Sequence, residues 1–429
     1  ARRRALVTGE FSEPIHNGSI LRLSFRFRLV LRYRCYFLKR LLRLFLSRFN
    51  PMSNQPTLHR VAISSTGIYI PPHVITNAEL VGTFNRYADL QNAEHAADIA
   101  AGTFTPIAHS SPEFIEKASG IQNRYVMEKT GVLDPTRMRP RFTARPDDAL
   151  SLMAEISVEA ALDAIKRAGK TTADVDAVIC ASANMQRAYP AMAIEVQTAL
   201  NIKGFGFDMN VACSSATFGI EMAANMVKSG AARAVLVINP EITSAHLAWK
   251  DRDCHFIFGD VCTAILVQRL DLAPEGAFEI LGTKCFTQFS NNIRNNFGFM
   301  SHAEDRDVDD RDQLFYQEGR KVFKEVCPLA AEHISSHLNE FGYTPTQTRR
   351  FWLHQANVNM NQFVTRKLLG RDPTPEEAPI ILNEFANTAS AGSIIAFHRH
   401  HEDIDAGDVG VICSFGAGYS IGSVVVKRT

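Results

Sequence analysis

CxxC pairs are missing from this chain of 429 residues: its eight cysteines, at 35, 180, 213, 254, 262, 285, 327 and 413, are scattered through apolar surroundings. That scatter excludes a disulfide framework and a zinc knuckle, and it fits a reducing, cytoplasmic setting. No HExxH or comparable liganding pattern is completed, and the histidine-rich FHRHHED, residues 397–403, reads as a solvated helix end. No metal and no bound cofactor are expected. Uncharged apolar runs long enough to cross a membrane are lacking as well, so no stable insertion is expected.

Net charge is small, at +1, and conceals an asymmetry. Residues 1–51 carry 12 Arg and Lys against Glu10 and Glu13, which leaves 34 basic against 43 acidic residues in the remainder. No nucleic-acid partner is expected of the acidic body. The basic leader SILRLSFRFRLVLRYRCYFLKRLLRLFLSRFN alternates apolar and basic residues and then turns helix-like. A transit peptide or an amphipathic membrane arm shares this pattern. Met52, followed by SNQPTLHRVAISSTGIYIPP, looks like a natural start, so residues 1–51 are expected to be an upstream or added extension, non-native or disordered.

From Arg60 onward, short β-branched runs alternate with helical patterns: VAISSTGIYIP, SLMAEISVEAALDAIKRAG, VDAVICASA, ARAVLVINPEI, TAILVQRL, RRFWLHQAN and GDVGVICSFGAG. Such alternation predicts an α/β protein with a mostly parallel sheet wrapped by helices. SGAARAVLVINPE echoes DAGDVGVICSFGA, which predicts two similar halves, 52–272 and 273–429, divided at LDLAPEGA. Stretches 84–110 and 286–315 are polar and weakly periodic and are expected to be lids or insertions.

Within NVACSSATFGIEMAANMVKSG, Cys213 stands at a strand-to-helix junction, ahead of a helix with apolar residues on nearly every face and Gly230 at its end. Backbone N–H groups and the positive helix end favour a thiolate there. A small buried hydrophobe is the alternative reading. His354 ends the strand of FWLHQAN, and Asn387 lies in a small-residue loop before an apolar helix. Taken singly, His354 is more often a structural histidine and Asn387 an ordinary helix cap. SFGAGYSIGS, Ser414–Ser423, lacks the GxGxxG spacing and is followed by a strand, so it fits a backbone donor to an oxyanion better than a dinucleotide loop.

VACSSATFG, LHQAN, ANTASAGS and FGAGYSIGS occur together in the order and spacing of the 3-oxoacyl-acyl-carrier-protein synthase III family, and the resemblance extends over GIYIPPHVITNAEL, ASGIQNRYV, RDCHFIFGD and EGRKVFKEV. It covers nearly all of residues 60–429. NMQRAYPAMAIEVQ and FSNNIRNNFGFM resemble its β-ketodecanoyl branch, which takes a medium-chain acyl-CoA as primer.

The resemblance implies a thiolase-like five-layer αβαβα fold of two similar halves with mixed, mostly parallel sheets. It further implies an acyltransferase that condenses acyl-CoA with malonyl-acyl-carrier protein by decarboxylation in fatty acid biosynthesis, working as a homodimer. Cys213 would be the nucleophile, His354 and Asn387 the pair for malonyl decarboxylation, and the N–H groups of Cys213 and Ala417 the oxyanion hole. Phe114, Arg252, Phe258, Asn357 and Tyr189 would bind substrate.

The chain departs from the family pattern at several places. Phe114 stands for Trp, Ala118 for a phosphate-contacting Arg, Ala417 and Ala386 for Gly, and Asn359 for a basic residue that Arg366 and Lys367 are expected to replace. A thiolase would need a second cysteine where Ser414 stands. A non-decarboxylative condensing enzyme and a non-catalytic acyl-binding relative are the remaining alternatives.

Overall fold

In this computed structural model, residues 58–305, 307 and 310–429 are described, so the expected extension over residues 1–51 lies outside them. The strands are β1 (Val61–Tyr69), β2 (His73–Thr76), β3 (Asn123–Val126), β4 (Ala177–Ala181), β5 (Phe205–Met209), β6 (Ala234–Glu241), β7 (Val261–Arg269) and β8 (Phe278–Ser290). They continue as β9 (Ile293–Arg294), β10 (Tyr316–Gln317), β11 (Arg350–Leu353), β12 (Val409–Gly416) and β13 (Gly418–Arg428). The helices are α1 (Asn77–Glu94), α2 (Ala96–Ala101), α3 (Pro112–Ser119), α4 (Leu152–Arg167), α5 (Met192–Ala199), α6 (Ser215–Lys228), α7 (Gly319–Glu340), α8 (Val358–Leu369), α9 (Leu382–Phe385) and α10 (Gly392–Arg399).

Strands β4, β6 and β12 are buried along their whole length, because their sequences are predominantly apolar and both faces are covered. The large sheet runs β5-β4-β6-β7-β1-β8-β13-β12-β11. The first half contributes β5-β4-β6-β7-β1 and the second β8-β13-β12-β11, and they meet where Ala62 and Ile63 of β1 pair with Glu279 and Phe278 of β8.

The α/β class with mixed sheets is as expected, but the strand directions are not mostly parallel. Only β5-β4-β6 and β11-β12 are parallel, while every other neighbour in the large sheet is antiparallel. Sequence alternation hides this because β12 and β13 are separated by Ala417 alone, which leaves no room for the crossover a parallel pair needs.

Five layers result. Helices α4 and α5 pack on the outer face of the first half, around Met153, Ile156, Val178 and Leu236. Helices α7 and α8 pack on the outer face of the second, around Val326, Ile334, Phe351 and Val411. Between the halves lie α6 and α10, whose Ile220, Val227, Ile394 and Phe397 share one core with Val237 of β6 and Val424 of β13.

Close approach is what the small residues of the middle layer permit. A Cβ on Gly219 of α6 would lie 2.7 Å from Val237, and one on Gly422 of β13 would lie 2.3 Å from Thr217 of α6. Helix α6 is thus wedged between β6 and β13. It is not buried all round, since Met222 is 40% exposed.

A fourth core, with Ile75, Phe84, Ile115, Trp249 and Phe256, is covered by α1 and α3. The stretch 84–110 expected to be a lid is largely the second half of α1 and the short α2, which buries no residue, with α1 started by a capping box at Thr76 and Glu79. The 286–315 stretch carries the end of β8, the short β9 and two single-turn 3-10 helices.

Gly67 of β1 marks the tightest sheet-to-helix contact. An added Cβ would stand 2.2 Å from the Ala160 carbonyl oxygen and 2.4 Å from the Ala164 nitrogen of α4. Gly67→Ala is therefore expected to cost about 2 kcal/mol through forced separation of α4 from β1. Urea unfolding followed by circular dichroism checks this, and an unchanged midpoint would contradict the packing described.

Candidate active site

The turn Ala212–Ser214 carries Cys213 from β5 into α6. Local hydrogen bonds fix it: Asn210 Oδ1 accepts from the Ala212 N–H at 2.8 Å, and Ser215 Oγ accepts from the Val211 N–H at 2.9 Å. Ala212 takes a left-handed φ of 46°, which turns the next residue toward β12. There Gly416 is packed so closely that a Cβ on it would lie 2.7 Å from Cys213 Cβ and 3.0 Å from its sulfur. The next N–H, that of Ala417, and the N–H of Cys213 itself both point at the sulfur. Ala417 keeps a negative φ, so a side chain is tolerated where the family has glycine.

His354 follows directly on β11, with its N–H donating to the Cys413 carbonyl at 2.8 Å and its ring meeting Phe415 edge-on at 5.5 Å. The side chain is buried next to the main chain of Ala389, and Nδ1 has no hydrogen-bond partner. Burial pushes its pKa down to about 4, so the imidazole is neutral near pH 7.

Asn387 is pinned by its main chain, which donates to the Ile257 carbonyl at 2.9 Å and accepts from Gly259 at 3.1 Å, and its Oδ1 accepts from the Ala389 N–H at 2.9 Å. The amide is thus oriented by its oxygen, which leaves the nitrogen as the end that can donate. Ala386 before it sits at φ 57°, ψ −160°, a conformation essentially reserved for glycine, and Ala389 after it has φ 47°.

These groups converge. Cys213 touches Gly416, Phe415 packs on His354, His354 touches Ala389, and Ala389 holds Asn387. The turn Ala389–Ala391 in turn lies against Ala212–Ser214.

The electrostatics depart from expectation at the sulfur. Burial pushes the Cys213 thiol up, to about 12, with the nearby Glu241 carboxyl adding to the rise and the two N–H donors opposing it. Desolvation outweighs the helix end, so the resting group is a thiol and not a thiolate.

The remaining sequence candidates divide. Phe258 is buried against His246 and Phe315 and bridges to Asn387. Arg252 and Phe114 stand together, the guanidinium carbon 4.1 Å over the ring, while Arg252 Nε donates to the His109 carbonyl at 2.7 Å. Asn357 has both ends of its amide engaged: Nδ2 donates to the Ala118 carbonyl at 2.7 Å and Oδ1 accepts from the Asn359 N–H at 2.8 Å as the cap of α8. Its amide is a scaffold bond in this structure. Tyr189 is 85% exposed on the surface.

Cys413 is fully buried in the outer core, and Ser414 hydrogen-bonds Ser393 at 2.8 Å, so neither offers a second thiol to the site. The FHRHHED stretch is half-buried and not merely solvated, with His398 bonded to Thr66 and His401 stacked on Phe397. No group of three metal-ligating side chains occurs among the described residues.

Sequence reasoning passed over Glu241, an acid that ends the largely apolar β6 and is 1% exposed. It also passed over a cavity of about 1460 Å³ lined by Glu241, His246, Asn184, Met185, Phe142 and Ile194 among others. Cys213, His354 and Asn387 do not line this cavity, which approaches them through Glu241.

Known proteins resemble this chain in sequence and in fold. The model of 3-oxoacyl-[acyl-carrier-protein (ACP)] synthase III matches residues 207–288, and that of its C-terminal region matches residues 338–428. β-Ketodecanoyl-[acyl-carrier-protein] synthase of Pseudomonas aeruginosa is 55% identical over 347 residues, which is 81% of this chain and 99% of that protein. β-Ketoacyl-[acyl-carrier-protein] synthase III of Granulibacter bethesdensis is 28% identical over 330 residues, 76% of this chain and 97% of the other. The crystal structure of 3-oxoacyl-[acyl-carrier-protein] synthase III from Aquifex aeolicus matches the fold with a TM-score of 0.67 at 24% identity, covering 86% of this chain and 99% of that one.

Two substitutions test the geometry. Gly416→Ala is expected to crowd the Cys213 sulfur and slow its alkylation by iodoacetamide at least about tenfold, while denaturant stability falls by about 1–3 kcal/mol. Ala386→Gly is expected to relieve strain and raise stability by about 1 kcal/mol, read as a higher urea midpoint.

Proposed function

The chain belongs to the 3-oxoacyl-[acyl-carrier-protein] synthase III family, and on that premise we propose that it joins an acyl-CoA primer to malonyl-acyl-carrier protein by decarboxylating Claisen condensation, in fatty acid biosynthesis. The observation that carries this reading is the Cys213 sulfur facing two backbone N–H groups, with His354 and Asn387 gathered through one shared turn.

In the first step the Cys213 sulfur attacks the thioester carbonyl. The tetrahedral oxyanion is held by the N–H groups of Cys213 and Ala417, and the CoA thiol leaves carrying the proton that Cys213 gives up. A neutral resting thiol suits this exchange, since no net proton is released. In the second step malonyl loses CO₂, and the resulting enolate oxygen accepts hydrogen bonds from one N–H of the neutral His354 ring and from the Asn387 amide. The carbanion attacks the acyl-Cys213 carbonyl, the 3-oxoacyl product forms on the carrier protein, and Cys213 takes up a proton again.

A medium-chain primer is supported by the β-ketodecanoyl relative, whose product implies, by carbon count, a primer shorter by two carbons. Phe114 and Arg252 form a stacked pair suited to the CoA adenine. Exposed Arg366 and Lys367 on α8 suit an acidic carrier protein.

The edge strand β5 presents exposed Phe205 and Phe207, and Tyr189 is exposed in the segment between β4 and α5. An apolar open edge of this kind supports a homodimer paired along β5, in which Tyr189 would reach substrate only across the subunit boundary. The seven described cysteines are free, which suits a cytoplasmic reaction, and no helix among the described residues is long and apolar enough to cross a membrane.

Intact-protein mass spectrometry with acyl-CoAs of graded length tests the reading. Wild type is expected to gain one acyl group with a medium-chain preference, and Cys213→Ala none. His354→Ala and Asn387→Ala are expected to keep acylation yet lose decarboxylation by about 100-fold or more, the scale of a lost oxyanion donor. An acylated Cys213→Ala protein would overturn the mechanism, and a wild type that gains no adduct would favour a non-catalytic acyl binder.

A further inference from the structure

Glu241 is an unusual acid to find at this place. It closes β6, is fully buried, and accepts from the Ala183 N–H at 3.0 and 3.3 Å and from the Ser390 N–H at 3.3 Å, with the Ser390 hydroxyl donating to it as well. None of these partners carries charge, so the carboxyl is not there as half of an ion pair. The two partners also come from different halves. Ala183 follows β4 in the first, and Ser390 lies in the Ala389–Ala391 turn of the second.

That turn is the one the site depends on. Its Ala389 N–H holds Asn387 Oδ1, its main chain abuts His354, and it packs against the turn bearing Cys213. Ala389 is held at a left-handed φ, so the turn needs an outside restraint to keep its shape.

We propose that Glu241 is a positioning residue for the condensation: it ties the Ser390 end of the turn to the Ala183 loop and so sets where Asn387 and His354 stand relative to Cys213. The inference rests on the condensing reading above.

Its charge has a second consequence. The titratable groups that feel it are thiols, Cys213 at the start of α6, Cys180 on β4 and Cys262 on β7. Burial moves the carboxyl itself up to about 7. Above that pH an anionic Glu241 opposes ionisation of Cys213, so removing the charge must lower the pH at which the thiol reacts.

The experiment compares Glu241→Gln, Glu241→Ala and Ser390→Ala in three assays: acylation by acyl-CoA, malonyl decarboxylation, and iodoacetamide alkylation of Cys213 against pH. Glu241→Ala is expected to lose decarboxylation by about tenfold or more with the acyl-CoA KM within about twofold, because a positioning defect falls on the step that uses Asn387 and His354. Glu241→Gln keeps one acceptor and is expected to stay within about threefold of wild type, while Ser390→Ala, which breaks the tie from the other side, should fall in the same direction as Glu241→Ala.

The alkylation midpoint should move down by about half a pH unit or more in both Glu241 variants and stay in place in Ser390→Ala. Decarboxylation retained by Glu241→Ala, or midpoints that do not move, would overturn the proposal. Should Glu241→Ala fail to fold, Glu241→Gln and Ser390→Ala still decide it. Alkylation needs no substrate, so its shift bears on Glu241 alone, whereas a wild type without decarboxylation would fault the condensing reading instead.

Discussion

Everything at the candidate site depends on how closely α6 is pressed between the two halves of the molecule. Its first turn must bring Cys213 to within van der Waals contact of Gly416 on the far sheet, and glycines at 219, 416 and 422 are what allow that approach. The contact does more than fill space. It presents the Ala417 N–H to the sulfur, and it carries Phe415, on which His354 rests. A helix seated even slightly farther out would leave the nucleophile and its oxyanion donors on separate halves.

Burial at this junction also decides the chemistry of the resting state. A helix end contributes up to about 2 kcal/mol to a nearby anion. Taking a charge out of water without a counter-ion costs several kcal/mol, so desolvation prevails and the thiol keeps its proton. His354 is kept neutral by the same effect. The two N–H groups at Cys213 then serve the charge that develops during reaction, a use in which donors fixed in advance count most. Neutral nucleophile, neutral imidazole and a carboxamide oriented through its oxygen form one consistent set, with the buried acid Glu241 beside them.

Much of this was legible in the sequence. The position of Cys213 between a strand and a helix, the strand end at His354 and the small-residue loop at Asn387 each leave a local signature, and each is found where that signature put it. Strand direction was not legible, because parallel and antiparallel buried strands have the same apolar content, and only the one-residue link at Ala417 separates them. The backbone conformation at Ala212, Ala386 and Ala389 was hidden too, since alanine is no signal of a left-handed turn. Glu241 escaped because a single acid at a strand end usually faces water. Its burial exists only once β6 meets Ala183 and Ser390, which lie 58 and 149 residues away along the chain.

The most direct test of this account is the thiolate absorbance of Cys213 itself, taken as the difference spectrum between wild type and Cys213→Ser near 240 nm as pH is raised. The structure predicts no thiolate signal at about pH 7 and its growth only under strongly alkaline conditions, as burial dictates. A full thiolate signal already present near neutrality would contradict it, and would return the decisive role to the helix end.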